Sequence, residues 1–411
     1  MTRFADRELR ETYFAALANP QFRLLFLART TSLFGDAFAP IALAFAVLEI
    51  GGSASDLGLV LAATTLPRAA FMLFGGVLGD RLRRDRLLVA TDAVQALAQA
   101  VVGVLLVTGH ASVWEIAAIQ AVRGTASAFF YPAATGLLPQ LVPRAMLQQA
   151  NALLGMSRST TAILGAAAGG AIVALVGPGT ALLVDAATFA ASGLLVLGLR
   201  LPSAARTVVP PGLWHDLVEG WREFTRRAWL WKTVVYFAVF NAAVLAPYLV
   251  LGPLVAETSL GGAAAWAAIV TAAAAGGLLG TWVALRVRPQ RPLRAGFVAV
   301  LGMAPVFALL AVAAPTVAIT AAAAFWGFGL QFFSVLWETV LQEQVPGEAL
   351  SRVASYDWLV TLTCAPLGLV LVGPIAALFS VSATLWGSAT VLIVATLAML
   401  AMPDVRGLER G

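Results

Sequence analysis

Charge is scarce in this 411-residue chain. Only 11% of its residues are Asp, Glu, Lys or Arg, while 60% are hydrophobic. Soluble domains carry about a quarter charged residues, so one water-soluble core could not hide this much apolar surface. A bilayer must be the main solvent. Cysteine occurs once, at Cys364, which excludes a disulfide within the chain. Histidine occurs twice, at His110 and His215, too far apart for metal-ligand spacing, so no metal or cofactor is expected. No GxxxxGK[ST] sequence is present, which disfavours ATP-driven pumping by this chain. Acids and nucleophiles are scattered, mostly one per apolar run, whereas an enzyme site groups them. The N-terminal MTRFADRELRETYFAAL contains acids and does not read as a cleavable signal peptide.

The chain is rich in apolar runs of about 20 residues, the length that crosses a bilayer as a helix. They fall at roughly 24–49, 57–79, 88–109, 114–138, 150–175 and 180–199. A second set follows at 233–254, 262–285, 295–313, 317–341, 355–378 and 383–402, giving twelve. Lys232 is the single lysine, so arginine reports orientation. With both termini inside, the outer connections near 50–56, 110–113, 176–179, 255–261, 314–316 and 379–382 hold no Lys or Arg. That is the positive-inside pattern. The basic balance therefore reports topology, and no nucleic-acid partner is expected. Ala- and Arg-rich, Lys-poor usage points to a GC-rich bacterial genome and hence a bacterial inner membrane, with cytoplasmic termini.

Two halves, 1–199 and 233–411, are joined by a connection over 200–232. It opens with the Pro-rich LPSAARTVVPPG and continues with Leu213, Leu217, Trp221 and Phe224 at helical spacing. That second part reads as an amphipathic helix on the inner face, tethering the halves or docking a regulator. The halves carry the same marks. GGVLGD at Gly75–Asp80 corresponds to GGLLGT at Gly276–Thr281, and Gly124, Phe129, Phe130, Val142 and Pro143 correspond to Gly327, Phe332, Phe333, Val345 and Pro346. The offsets are 201 and 203 residues. The expected fold is all-α and integral to the membrane, with two parallel six-helix repeats around a central site.

GGVLGDRLRRDRLL, where Gly76, Gly79, Asp80, Arg81 and Arg84 stand, resembles the signature loop between helices two and three of the Major Facilitator Superfamily. Arg83 occupies a position that the pattern gives to glycine. NPQFRLLFLARTTSLFGD, ASAFFYPAATGLLPQLVP and ALLVDAATFAASGLLV resemble the branch holding siderophore and macrolide exporters. Gly165 to Gly170 is similar to the antiporter-associated Gly-Pro-x-x-Gly-Gly motif, with Ala166 in place of its proline. The resemblance implies a monomeric secondary transporter, exchanging protons for a small amphipathic compound such as a drug, macrolide or siderophore. Lipid or lysolipid flipping, solute uptake and a non-transporting sensor stand as alternatives. The resemblance also implies that Gly76, Gly79, Asp80, Arg81 and Arg84 form a gate, with Asp80 facing the start of the eleventh helix near Arg352 to Asp357.

Charges inside spans are costly and face a cavity or a partner. Arg29 and Asp36 lie seven residues apart on one face of the first helix, with Asp36 near mid-depth. Arg68 and Arg123 fall near the middle of the second and fourth helices. Asn241 in the seventh, Gln331 in the tenth and, nearer the inner mouth, Glu338 complete the candidate substrate and proton site. The superfamily resemblance implies that helices one, four, seven and ten line the cavity. Asp36 then binds a proton or a cationic group, and Arg123 supplies a countercharge or meets an anion. Alternatively, Asp36 forms a static ion pair with Arg68 or Arg123. Asp92 and Asp185, placed near the ends of the third and sixth helices, read as anchoring or helix-to-helix hydrogen-bonding groups. The tenth helix's aromatic run, Phe325 to Phe333, reads chiefly as packing.

Overall fold

A computed structural model of the chain describes residues 15–81, 83–143, 146–199, 221–222, 224–345 and 364–409. Among them the regular structure is helical throughout. The helices are α1 (Pro20–Glu49), α2 (Ala54–Arg81), α3 (Arg84–Val107), α4 (Val113–Leu141), α5 (Leu147–Val176) and α6 (Pro178–Leu197). Then come α7 (Ala228–Leu260), α8 (Ala263–Arg286), α9 (Pro292–Ala311), α10 (Thr316–Gln344), α11 (Cys364–Phe379) and α12 (Val381–Ala401). Within the described residues, nine are long and apolar enough to cross a membrane. Their outer faces stay apolar where nothing covers them, as at Leu175, Leu194, Val317 and Leu378. Such faces suit hydrocarbon, where every backbone group must be bonded within its own helix.

Within the described residues each expected span falls on a helix, and several helices begin earlier than the apolar run. At some of them a capping residue, which lies outside the hydrophobic pattern, sets the start. α4 starts behind a capping box in which Ser112 and Glu115 bond each other's backbone N–H. The Asn19 side chain accepts from the N–H groups of Gln21 and Phe22, at 2.9 and 3.3 Å, ahead of Pro20. Prolines also explain the irregular helices. Pro247 cannot donate to the preceding turn, and the residues before it, Asn241–Leu245, widen into a π-helix. α9 breaks at Gly302 and Met303, just before Pro305. The eleventh span was expected from 355, and its residues up to 363 lie outside the described ones, as does most of the expected amphipathic connection. Of that connection, Trp221 and Phe224 stack 5.7 Å apart.

The chain divides into two compact units, Met1–Ala46 with Leu66–Val208, and Val47–Thr65 with Val209–Gly411. In the first, α3 and α6 run antiparallel and are bonded side chain to side chain at two levels. Ser192 Oγ donates to Asp92 Oδ2 at 2.7 Å, and Gln99 Nε2 donates to Asp185 Oδ2 at 2.5 Å. Asp92 and Gln99 are seven residues apart, as are Asp185 and Ser192, so two helical turns on each strand of the pair keep both bonds in register. Gln120 Nε2 of α4 extends the chain to Gln99 Oε1 at 2.8 Å. Asp92, Gln99, Gln120 and Asp185 are all completely buried.

In the second unit, α8 crosses α10 at near backbone contact. A Cβ at Gly327 would meet the Ala273 backbone and one at Gly276 the Ala324 backbone, so no side chain fits between the two helices. The motif copy GGLLGT thus uses its glycines against α10. The aromatic run of α10 supplies a core: Trp326 stacks on Tyr248 of α7 at 4.9 Å, and Phe333 contacts Phe237 of α7 and Phe297 of α9 at 4.7 and 4.9 Å. Phe325 points out and is 65% exposed.

Gln99→Leu strips the donor from the buried Asp185 carboxyl and should lower stability by roughly 1–2 kcal/mol. Gly327→Val should lower it by about 1–3 kcal/mol through overpacking. Unfolding of the purified protein in mixed micelles measures both.

Candidate functional site

Asp36 stands 16 residues after Pro20 in the 30-residue α1, close to its middle. Its side chain keeps 44% of its surface accessible, while that of Arg123, from the first half of α4, keeps 10%. Arg123 donates from Nη2 to Asp36 Oδ1, forming an ion pair between α1 and α4. The guanidinium also lies over the Phe189 ring of α6, 5.6 Å from its centroid, an arrangement that stabilises a desolvated cation. Among the described residues its Nε has no hydrogen-bond partner. Arg68 of α2 is half-buried, and its charge reaches Asp36. Arg29 is buried on α1, two turns before Asp36. Of the expected charges, Asp36 and Arg123 are thus ion-paired, and the charge of Arg68 acts on Asp36.

Behind the pair lies a second carboxylate. The Asp185 side chain packs on the backbone of Gly35, where any Cβ would collide with Asp185 Oδ1 and Thr188 Oγ1. Thr188 Oγ1 donates to the Asp185 carbonyl at 2.7 Å and approaches its Oδ1 at 3.4 Å. Asp185 and Asp92 were expected near helix ends. The helices begin sooner than the apolar runs, and both residues lie well inside them. Each makes a helix-to-helix hydrogen bond. Asp92 Oδ1 has no partner among the described residues.

Sequence reasoning passed over Gln99 and Gln120. The signal was available: Asp92, Gln95 and Gln99 form a polar stripe on one face of α3, and Gln120 precedes Arg123 by one turn on α4. Polar residues at helical spacing inside apolar spans mark buried helix contacts.

The second unit's candidates are not brought together with one another. Asn241 is buried in the π-helical turn of α7, where its Nδ2 donates to the Phe237 carbonyl at 2.7 Å. Gln331 and Glu338 are exposed on α10. The same unit holds an apolar cavity of about 660 Å³ between α7, α11 and α12, lined by Ala242, Pro247, Leu367, Leu371, Phe379 and Ser388 among others. Such a volume suits a small apolar molecule.

The α2 backbone is helical through Gly76, Gly79 and Asp80 to Arg81; the Asp80 and Arg81 side chains lie outside the described ones, as do Arg352 to Asp357. Arg84 opens α3. Arg83, where the signature pattern has glycine, is extended at φ −67°, ψ 116°, a conformation open to any residue. Its Nη2 donates to Asp85 Oδ2 at 2.8 Å.

Residues 25–361 match the model of the Major Facilitator Superfamily. The multidrug efflux pump Tap of Mycolicibacterium fortuitum is 27% identical over 95% of this chain and 97% of its own length. Macrolide efflux protein A of Streptococcus pyogenes is 22% identical, again over 95% of this chain and 97% of its own. The crystal structure of nucleoside transporter NupG superposes with a TM-score of 0.73 over 93% of this chain and 98% of its own, at 13% identity. With a family match over most of its length, full-length relatives in the efflux branch and the same fold, this chain belongs to the Major Facilitator Superfamily, as a multi-pass membrane transporter of twelve helices in two repeats and not an enzyme.

Proposed function

We propose that the protein exports a small amphipathic compound across a bacterial inner membrane by alternating access, in exchange for protons. The observation that carries this reading is the accessible Asp36 carboxylate held against buried Arg123 in the middle of two spans. A carboxylate there can accept a proton or the cationic part of a cargo, and either one weakens its bond to the guanidinium. Binding is thereby linked to a rearrangement between α1 and α4, as coupling requires. The relatives named as multidrug and macrolide efflux proteins support the export direction. Arg29 and Arg68 tune the field around Asp36, and Asn241, Gln331 and Glu338 are the polar contribution of the second half.

The working halves are the bundles 1–199 and 233–411, joined by 200–232, and a monomer suffices. Both termini face the cytoplasm, as the arginine distribution requires. Gly76, Gly79, Asp80, Arg81 and Arg84 act as a gate.

In oriented proteoliposomes, Asp36→Asn should reduce transport driven by a pH gradient to that of protein-free vesicles; undiminished coupling would remove Asp36 from the proton path. Asp80→Asn should slow the transport cycle severely while equilibrium binding of the same compound stays within about twofold, well under the tenfold that 1.4 kcal/mol represents. A defect confined to binding would refute the gate.

A further inference from the structure

We propose that Asp185 is a second counter-ion of Arg123 and the proton store of the transporter: it holds a proton while the guanidinium pairs with Asp36, and releases that proton when the guanidinium turns to it. The proposal rests on the reading of Asp36 as the group that meets a cationic cargo.

The geometry grades from open to closed. Asp36 is the accessible member, with 44% of its side chain exposed; Arg123 sits behind it with 10%; Asp185 is fully buried. Asp185 packs on the backbone of Gly35, immediately beside Asp36 in sequence. Arg123 rests on the ring of Phe189, one turn beyond Asp185 on the same face of α6. Its charge acts on both carboxylates. A small swing of the guanidinium therefore exchanges one partner for the other, and its Nε has no partner among the described residues to hold it in place.

The burial of Asp185 and the character of its partners then place the proton. The groups acting on Asp185 are Arg123 from α4, Asp36 from α1, and the neutral Gln99 amide from α3. From the same α3 face, Asp92 is bonded to Ser192, and Asp36 reaches it electrostatically. Arg123 pairs with Asp36, on which the charge of Arg68 also acts, whereas the hydrogen-bond partners of the fully buried Asp185, Gln99 and Thr188, are neutral, and a buried carboxylate without an ion-pair partner is strongly disfavoured. With Arg123 on Asp36, Asp185 is the neutral acid. Gln99 suits this state: its amide N–H donates to Asp185 Oδ2, which leaves Oδ1 to carry the proton near Gly35 and Thr188.

When a cation binds Asp36, it repels the guanidinium toward Asp185. The Asp185 O–H bond breaks, its electron pair stays on the carboxylate, and the proton leaves through the space that the guanidinium vacates, toward the accessible side of Asp36. One positive charge arrives at the site and one departs. The set Asp36, Arg123 and Asp185 thus exchanges a cation for a proton without change in net charge.

The test uses the full-length protein in nanodiscs and weakly buffered solution, with tetraphenylphosphonium as the probe. Bound cation is measured by equilibrium dialysis and released protons with a pH-indicating dye. The wild type should release one proton for each cation bound. Asp185→Asn should bind the cation more weakly and release none, and Asp36→Asn should not bind it. Wild-type binding without proton release, or unchanged release from Asp185→Asn, overturns the proposal and leaves the Asp36 site standing. A wild type that binds no cation overturns the Asp36 reading and the proposal together. Infrared difference spectra guard against a misfolded variant. Cation binding to the wild type should bleach a protonated-carboxyl band, and Asp185→Glu should shift that band; a bleach unshifted in Asp185→Glu assigns the proton elsewhere and overturns the proposal.

Discussion

A guanidinium buried in a membrane-spanning bundle needs a counter-charge, and the first unit is arranged around supplying one to Arg123. In low dielectric an unpaired cation is prohibitive, so the helices around α4 must bring acid or aromatic groups to it. α1 brings Asp36, and α6 brings the Phe189 ring. Because hydrocarbon provides no hydrogen bonds, the polar groups that accompany these charges must satisfy one another. Gln120, Gln99 and Asp185, and separately Ser192 and Asp92, bond one another across α4, α3 and α6, with Asp92 Oδ1 and Gln120 Oε1 left without a partner among the described residues.

The second unit solves its packing by other means. Where the first has carboxylates and amides, it has rings and glycines: Trp326, Tyr248, Phe333 and Phe297 interlock, and α8 meets α10 at the backbone. Its cavity is correspondingly apolar. The two units differ in this way although they carry one repeated pattern. Thr281, standing where the first copy has Asp80, is a local mark of the same divergence.

Much of this was legible from residue order alone. Hydrophobic runs of bilayer length mark each helix, because the bilayer imposes one length and one secondary structure on any segment that crosses it. Helix starts were less legible, since capping at Asn19 and Ser112 depends on a few polar atoms outside the runs. The candidate charges Asp36, Arg68 and Arg123 could be picked out because a charge within a span is costly enough to demand a reason.

Which charge meets which was decided by tertiary structure. Seven-residue spacing on α3 and on α6 is visible in the sequence, but only their antiparallel packing sets Asp92 against Ser192 and Gln99 against Asp185. Likewise Asp36 could have met Arg68 or Arg123, and the α1–α4 approach brings Arg123 to it. Gly35 reads in sequence as one small residue among many; the fold makes it the gap through which Asp185 comes up beside Asp36. The sequence by itself determined the solvent, the number of helices and the stock of charges, because each follows from local composition and length. The pairing of those charges depends on angles and distances between helices far apart in the chain, and only the tertiary structure could decide it.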